Sequence, residues 1–278
     1  MHTPINRSRY LKFSPNDDWN KVLHSSLQFL RGSWASDWVG VPWVLEVCIE
    51  KLLGLDHRNT LIENILNSAR IVAINIESIS KLSWEPDYHN RLHFCDALTG
   101  LCILLSIERE RSGKLDEYWT AILLLTVVAH DYRHPGGRNN AKMEIENQTV
   151  QALEDICGLC LIDKQSCNIV MDLIRKTDPA CINQNHSVVF GQAFDFNKNW
   201  ATILVNEVDI LASCTSEFGP NLSIQLIKEF MTKGVNFTQG IEIAMSRKNF
   251  LNEVKFSSPA SHILNIEAEI QAEVYSLI

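Results

Sequence analysis

The stretch YWTAILLLTVVAHDYRHPGGRNN, residues 118–140, is an apolar run that ends abruptly in charged and polar residues. A helix that is apolar on all sides lies at the centre of its domain. The run therefore predicts a central helix over 117–131, with His130 and Asp131 emerging from the middle of the core. Asp131 stands where a helix C-terminus carries partial negative charge, so a carboxylate there needs a cation nearby. A divalent metal is the natural candidate, because imidazole and carboxylate both bind first-row ions.

The polar end of this stretch is a stiff turn, His134-Pro-Gly-Gly, which can fold His134 and Asn139 back toward the same point. The neighbouring Arg133 and Arg138 are interpreted as solvated loop charges. A histidine-aspartate pair is weak evidence by itself, since a histidine stabilised by the helix end beside an exposed aspartate explains it too.

A second group of histidines begins the segment YHNRLHFCD, residues 88–96. Pro86 suits the first turn of a helix, which is predicted over 87–110. Four residues advance a helix by about 400°, so His89 and His93 are expected on nearly the same side. The face that continues from His93 is apolar and therefore inward. For either histidine alone, a core imidazole bonded to a backbone carbonyl is the simpler interpretation.

A single carboxylate, Asp209, interrupts the apolar helical stretch WATILVNEVDILAS at 200–213. A buried carboxylate either becomes neutral or finds a cation. Asp209 therefore predicts either a metal ligand or a salt bridge to Arg or Lys. Glu207 points to roughly the opposite side and is expected in solvent.

The rest of the 278 residues also has mostly helical periodicity, which predicts one all-α domain over 1–278. N-terminal helices are expected through 58, a metal-binding core over 59–235 and C-terminal helices over 236–278. The predicted helices are 19–31, 42–53, 59–81, 87–110, 117–131, 142–160, 164–176, 199–216, 220–234, 238–253 and 259–276. Loops are predicted at 32–41, 111–116, 132–141 and 177–198.

The composition excludes several functions. The net charge is −8 and no large Lys/Arg cluster occurs, so nucleic-acid binding is not expected. Runs such as AILLLTVVA are too short to span a membrane and the first twenty residues lack an apolar leader, which favours a cytoplasmic location. The tryptophan-rich stretch RGSWASDWVGVPW (31–43) either packs over the core or supports self-association; packing is the more ordinary interpretation.

Eight cysteines lie mostly in apolar helical patterns, as expected for buried thiols in a reducing compartment. Cys157 and Cys160, with Cys167 nearby, are the one group that is similar to a zinc or redox motif. No second Cys/His pair follows at zinc-finger spacing, which favours core thiols.

Three groups of residues together resemble the HD superfamily of metal-dependent phosphohydrolases, and within it the catalytic domain of class I 3′,5′-cyclic nucleotide phosphodiesterases. The motifs that carry the resemblance are Tyr88-His89-Asn90-x-x-His93, His130-Asp131-x-x-His134-Pro135-Gly136-x-x-Asn139, and Asp209 in a helix. Weaker similarity extends over about 60–235. The resemblance implies an all-helical fold with a deep pocket that holds two divalent ions.

The resemblance also implies a role for each site residue. The tighter ion, zinc or iron, would be bound by His93, His130, Asp131 and Asp209. Asp131 would bridge to a second ion, magnesium or manganese, and His89 would be the general acid. Tyr88 would contact the substrate, and the residues that orient the ligands and a bridging water would be His134, Asn139 and Glu146.

The implied reaction is hydrolysis of the 3′ phosphoester of a small-molecule substrate, cAMP or cGMP, to the 5′-monophosphate by a metal-bridged hydroxide. Two stretches depart from the family pattern. IENQT (145–149) replaces paired histidines, and Gln271 lies in about the region of a purine-binding glutamine without its surrounding pattern, so the resemblance says little about which nucleobase is recognised. A phosphohydrolase for nucleoside monophosphates or cyclic dinucleotides, an oxidative di-iron enzyme and a degenerate HD binding module therefore stay open. Assembly as a homodimer also stays open.

Overall fold

The computed structural model describes residues 7–14, 16–54, 59–82, 84–234 and 241–277. These ranges contain α-helices and short 3₁₀ turns and no β-strand, which confirms the predicted all-α fold. Numbered along the chain, the helices are α1 (Trp19–Ser36), α2 (Val41–Leu53), α3 (Thr60–Ser80), α4 (Arg91–Ser112), α5 (Glu117–Ala129), α6 (Glu144–Leu159), α7 (Lys164–Arg175), α8 (Ile182–Val189), α9 (Trp200–Leu211), α10 (Gly219–Thr232), α11 (Ile241–Glu253), α12 (Pro259–Leu264) and α13 (Ile266–Ser276).

Helices α4 and α5 form the centre of the core. Every residue from Leu92 to Glu108 in α4 is buried, and so is every residue from Thr120 to Ala129 in α5. Helix α4 packs against α1, α2, α5, α9 and α12, while α5 also contacts α2, α3, α7 and α9. The first turn of α4 and the last turn of α5 therefore end inside the protein rather than at its surface.

A glycine sets how closely α9 approaches α4. A Cβ atom added at Gly100 would lie 3.0 Å from Leu211 Cδ2 and 3.5 Å from Val208 Cβ. Both of these residues flank Asp209 on α9. The missing side chain at Gly100 thus allows α9 to lie directly on α4, and this contact places Asp209 close to α4.

Several predicted helix bounds are wrong. The predicted loop at 32–41 is helical over its first five residues, because α1 continues to Ser36. The predicted loop at 177–198 contains α8 and two 3₁₀ turns, at Pro179–Cys181 and Phe196–Lys198. The predicted helix 259–276 breaks at Asn265, whose left-handed φ of 59° ends α12, as asparagine tolerates better than most residues. The start of the predicted helix 238–253 lies outside the described residues.

The tryptophan-rich stretch is tied to the body of the protein. Trp34 and Trp38 meet edge to face with ring centroids 4.7 Å apart, and the Arg91 guanidinium lies 5.1 Å from the Trp34 centroid. The Trp38 indole nitrogen donates a hydrogen bond of 3.1 Å to Glu77. These contacts agree with packing over the core. Self-association stays a prediction.

The cysteines are free thiols, and six of the eight are buried. Cys157 lies on α6, where burial raises the pKa of its thiol well above the ordinary value. Such a thiol is a weak nucleophile, which agrees with the interpretation of Cys157 as a core residue. None of the described helices combines the length and apolar character that a bilayer crossing requires.

Candidate metal centre

Three helices bring four predicted ligands together. His93 lies in the first turn of α4, His130 directly follows α5, and Asp209 lies in the last turn of α9. The Nε2 atom of His93 is 3.2 Å from Nε2 of His130, 3.1 Å from Oδ2 of Asp131 and 3.2 Å from Oδ1 of Asp209. The Nε2 atom of His130 is 3.1 Å from Asp131 and 3.3 Å from Asp209.

This spacing suits a divalent metal ion. The distance between the two histidine nitrogens and the four histidine–aspartate distances are 3.1–3.3 Å. The corners of a tetrahedron with edges of this length lie about 2 Å from its centre, which is the usual distance from Zn²⁺ to histidine nitrogen and carboxylate oxygen. All four donor atoms lie within 4.8 Å of one another. Two imidazoles and two carboxylates also form a donor set that binds zinc and other first-row ions. The residues present therefore fit the metal that the resemblance implies.

The backbone fixes which nitrogen of His130 faces the cluster. Its Nδ1 lies 2.7 Å from the carbonyl oxygen of Val127. A carbonyl only accepts, so Nδ1 carries a hydrogen and Nε2 is the nitrogen that faces the cluster. Such a hydrogen bond orients a metal-binding imidazole and sets its tautomer.

Without metal, protonated imidazoles lie next to ionised carboxylates in the cluster. Burial alone would lower the pKa of His93, but hydrogen bonds to Asp131 and Asp209 outweigh it and raise this pKa to about 9. Burial would raise the pKa values of both aspartates, and His130 above all keeps them below the ordinary range. A metal ion would therefore replace protons on the imidazoles.

His89 is placed differently from the prediction. It lies before α4 rather than on it, because Asn90 begins the helix: its side chain accepts from the backbone N–H groups of Leu92 and His93. The expectation that His89 and His93 share one side of a helix is therefore wrong. Nevertheless, the Nε2 atom of His89 is 3.9 Å from Oδ2 of Asp131, next to the four-residue cluster.

Glu229 on α10 holds His89 in place and is not among the predicted site residues. Its carboxylate accepts from Nδ1 of His89 at 2.6 Å and from the backbone N–H groups of Tyr88, His89 and Gly137 at 3.0–3.1 Å. Burial opposes its ionisation, but the hydrogen bond from His89 is the main effect that lowers its pKa, to about 2. The only sequence signal for Glu229 is that it lies in the IKEFMTKG stretch (227–234), which has weak similarity to the family. The residues around Glu229 in the sequence do not indicate that it contacts His89.

A second group of donors shares Asp131 with the first. His89, Asp131 and His134 each offer an atom within 4.8 Å of the others. The rings of His89 and His134 stack with centroids 3.7 Å apart, and Nδ1 of His134 accepts from the backbone N–H of Gly136. Asp131 thus lies between two candidate ion sites, as a bridging carboxylate would.

The remaining predicted residues support the site from its edges. Asn139 donates to both carboxylate oxygens of Glu146, at 3.1 and 2.8 Å, and its own oxygen accepts from the backbone N–H of Ile145. Glu146 is buried, and burial raises its pKa. Tyr88 is 7% exposed; its ring packs on His93 and its hydroxyl lies 2.8 Å from that of Ser213. Its role as a substrate contact stays a prediction.

Glu207 corrects another expectation. It is fully buried rather than solvated, and it accepts hydrogen bonds from the backbone N–H groups of Ser257 and Ser258 and from the Ser258 hydroxyl. Burial raises its pKa to about 7. Glu207 thus binds the N-terminus of α12 on the side of α9 away from the candidate ions.

A cavity of about 340 Å³ opens onto the site. His89, Asp131 and His134 are among the residues that line it. Other lining residues come from the end of α3 and from the segment before α4. Arg133, interpreted from sequence as a solvated loop charge, is exposed but also lines this cavity.

Comparison with known proteins supports the fold. Neither a scan against protein-family models nor a search of curated proteins found a match. The structure of LmjPDEB1 from Leishmania, in complex with IBMX, superposes with a TM-score of 0.67 at 14% identity, over 99% of this chain and 97% of that one. The phosphodiesterase domain of the RhoPDE fusion protein from the choanoflagellate Salpingoeca rosetta superposes with a TM-score of 0.60 at 15% identity, over 96% of this chain and 92% of that one. The chain therefore has the same fold as these phosphodiesterase structures, at low sequence identity.

Proposed function

We propose that the protein is a metal-dependent phosphodiesterase that hydrolyses the 3′ phosphoester of cAMP or cGMP to the 5′-monophosphate. The observation that carries this proposal is the four-residue cluster of His93, His130, Asp131 and Asp209, with His89 beside it. Phosphodiester hydrolysis needs both a nucleophile at neutral pH and a proton for the leaving oxygen. The cluster supports the first requirement and His89 the second.

The four-residue cluster would hold one divalent ion, zinc or iron, and Asp131 would share a second, magnesium or manganese, on the side of His89 and His134. When bound, such a pair of ions supplies a nucleophile at neutral pH and neutralises charge on the phosphoryl oxygens. The protein's part is to keep the donor atoms in place: the Val127 carbonyl orients His130, and Gly100 allows α9 to deliver Asp209.

His89 would protonate the 3′ oxygen as it leaves. Its Nδ1 is bonded to ionised Glu229, so its Nε2 is the nitrogen that faces Asp131 and the cavity. General acid catalysis would use a proton on Nε2, the nitrogen that this hydrogen bond turns toward the cavity. Glu229 would therefore act as a positioning residue for the general acid.

The free thiols support the cytoplasmic location expected from the sequence, because oxidising compartments favour disulfides. A homodimer remains a prediction of the same proposal.

The test is a product assay with metal-loaded protein on cAMP, cGMP, nucleoside monophosphates and a cyclic dinucleotide. We expect the 5′-monophosphate from a cyclic mononucleotide. His93→Ala should abolish this activity, while the control His262→Ala, at an exposed histidine on α12, should retain it. Hydrolysis confined to monophosphates or cyclic dinucleotides would reject the proposed substrate class, and metal-loaded protein that hydrolyses none of them would reject the enzyme.

A further inference from the structure

The cavity beside the candidate ions has an apolar wall that the proposed chemistry does not use. The apolar residues that line the same cavity as His89 include Ile76, Ile79, Trp84 and Phe94. The Trp84 side chain is 59% exposed and Ile79 is 39% exposed. A large aromatic ring exposed at the mouth of a site is a common feature of surfaces that bind a planar ligand.

The Trp84 ring is held against the turn that follows the candidate metal ligands. A Cβ atom added at Gly136 would lie 3.5 Å from Cη2 of Trp84 and 3.4 Å from Cγ of Glu229. The ammonium group of Lys233 lies 5.8 Å from the Trp84 ring centroid. Gly136 therefore lies beside both the indole and the side chain of Glu229, the residue that holds His89.

The polar groups of the cavity are poorly suited to reading the edge of a base. Among the described lining residues there is no asparagine or glutamine, and Glu85 is already paired with Arg91. The Ser80 hydroxyl donates to the Glu77 carbonyl, and the Arg133 guanidinium lies over the Tyr132 ring. Gln271, which lies in about the region of the family's purine-binding glutamine, is exposed on α13 and does not line the cavity. Stacking on an aromatic ring needs no such groups and tolerates every base.

We propose that Trp84 is the stacking platform for the nucleobase, so that the site accepts adenine and guanine nucleotides alike. This inference rests on the proposed function, since it assigns the base of that substrate to the α3–α4 side of the cavity. It makes the residues before α4, rather than the C-terminal helices, the determinants of specificity.

The experiment measures equilibrium binding of adenosine 5′-monophosphate, guanosine 5′-monophosphate and ribose 5-phosphate to metal-loaded protein. Both nucleotides should bind at least about tenfold more tightly than the base-free sugar phosphate, as base stacking on an aromatic ring would give. Trp84→Ala should remove most of this preference, and Trp84→Phe should keep much of it. Leu82→Ala is the matched control, because Leu82 is 87% exposed two residues away and does not line the cavity.

The outcomes separate the two proposals. A preference for nucleotides that survives Trp84→Ala, or no preference in the unaltered protein, would overturn the stacking platform. A difference beyond about tenfold between the two bases would show that a polar group reads the base edge and would overturn recognition by stacking alone. If Trp84→Ala removes the preference but no cyclic nucleotide is hydrolysed, the platform stands and the proposed function fails.

Discussion

Among single residues, Asp131 is the one that both candidate ion sites share. Its Oδ2 lies 3.1 Å from the Nε2 atoms of His93 and His130 and 3.9 Å from that of His89. The sequence predicted this position for a physical reason, since a carboxylate at the end of an apolar helix needs a cation. Glu229 could not be predicted in that way, because its contact with His89 joins residues 140 positions apart.

Metal binding should release protons. With its pKa at about 9, His93 is protonated at neutral pH in the metal-free protein, and that proton must leave Nε2 before a metal binds. Zinc added at neutral pH should release about one to two protons per ion from the two imidazoles, and zinc affinity should rise as the pH increases toward about 9. Calorimetric titration in buffers of different ionisation enthalpy measures the release. Binding with no proton release would show that the histidines do not take part.

Removal of His89 should separate metal binding from turnover. We expect His89→Ala to keep the ion of the four-residue cluster and to lower kcat by about 10²–10⁴-fold, as the loss of a general acid does. Glu229→Gln should have a smaller effect, about 10–100-fold, because a neutral amide holds the His89 ring less firmly than the carboxylate does. Metal analysis beside steady-state kinetics checks both variants. Unchanged turnover in His89→Ala would rule out the general acid, and loss of the second ion alone would make His89 a ligand instead.

Among the helices, α2, α3 and α7 were predicted best. Each follows its predicted range within one residue at either end, because a capping side chain or a proline marks its first turn. The errors lie where a tertiary contact decides the local structure. The segment 177–198 has few apolar repeats, so α8 was missed, and the backbone at His89 is held by α10 rather than by its own helix.

The contact between α4 and α9 should control the candidate metal site. Gly100→Val would force side-chain atoms against Leu211 and Val208, which should cost about 1–3 kcal/mol of stability and move Asp209 away from the cluster. We therefore expect weaker zinc binding as well as a lower Tm. The matched control is Gly158→Val on α6, where an added Cβ meets no atom within 4 Å. Equal zinc affinity in both variants would show that the approach of α9 does not set the site.

In the whole molecule, buried polar contacts fasten the C-terminal helices to the core. Arg247 on α11 pairs with Glu273 on α13 and donates to the Ser213 carbonyl. Glu207 binds the start of α12. The sequence predicted helices here but not these connections, since a charged residue in a helical pattern is normally expected in solvent.

The link between α1 and α13 should make stability depend on pH. The hydrogen bond to Glu269 outweighs burial and raises the pKa of His24 from 6.5 to about 9, while the same bond outweighs burial and lowers the pKa of Glu269 from 4.5 to about 2. The raised histidine pKa stabilises the fold fully below pH 6.5, and this stability is lost as the pH rises through 9. The lowered carboxylate pKa stabilises the fold above pH 4.5, and that stability is lost as the pH falls through 2.

Urea unfolding of the unaltered protein and of His24→Ala at pH values of about 6 and about 10 tests this link. We expect His24→Ala to cost about 1 kcal/mol at the lower pH, because the pair is partly exposed, and almost nothing at the higher pH. His262→Ala, at a more exposed histidine, serves as the control. An equal cost at both pH values would mean that packing rather than charge explains the effect of His24.

The proposed phosphodiesterase activity depends on one divalent ion bound by residues from three helices. The most direct measurement is anomalous scattering at the zinc edge from crystals of the protein grown with zinc. A peak about 2 Å from the His93 and His130 Nε2 atoms and from one oxygen each of Asp131 and Asp209 is the predicted result. Crystals in which this position holds no anomalous peak, while the four side chains keep the same arrangement, would contradict the metal centre and the enzyme proposed from it.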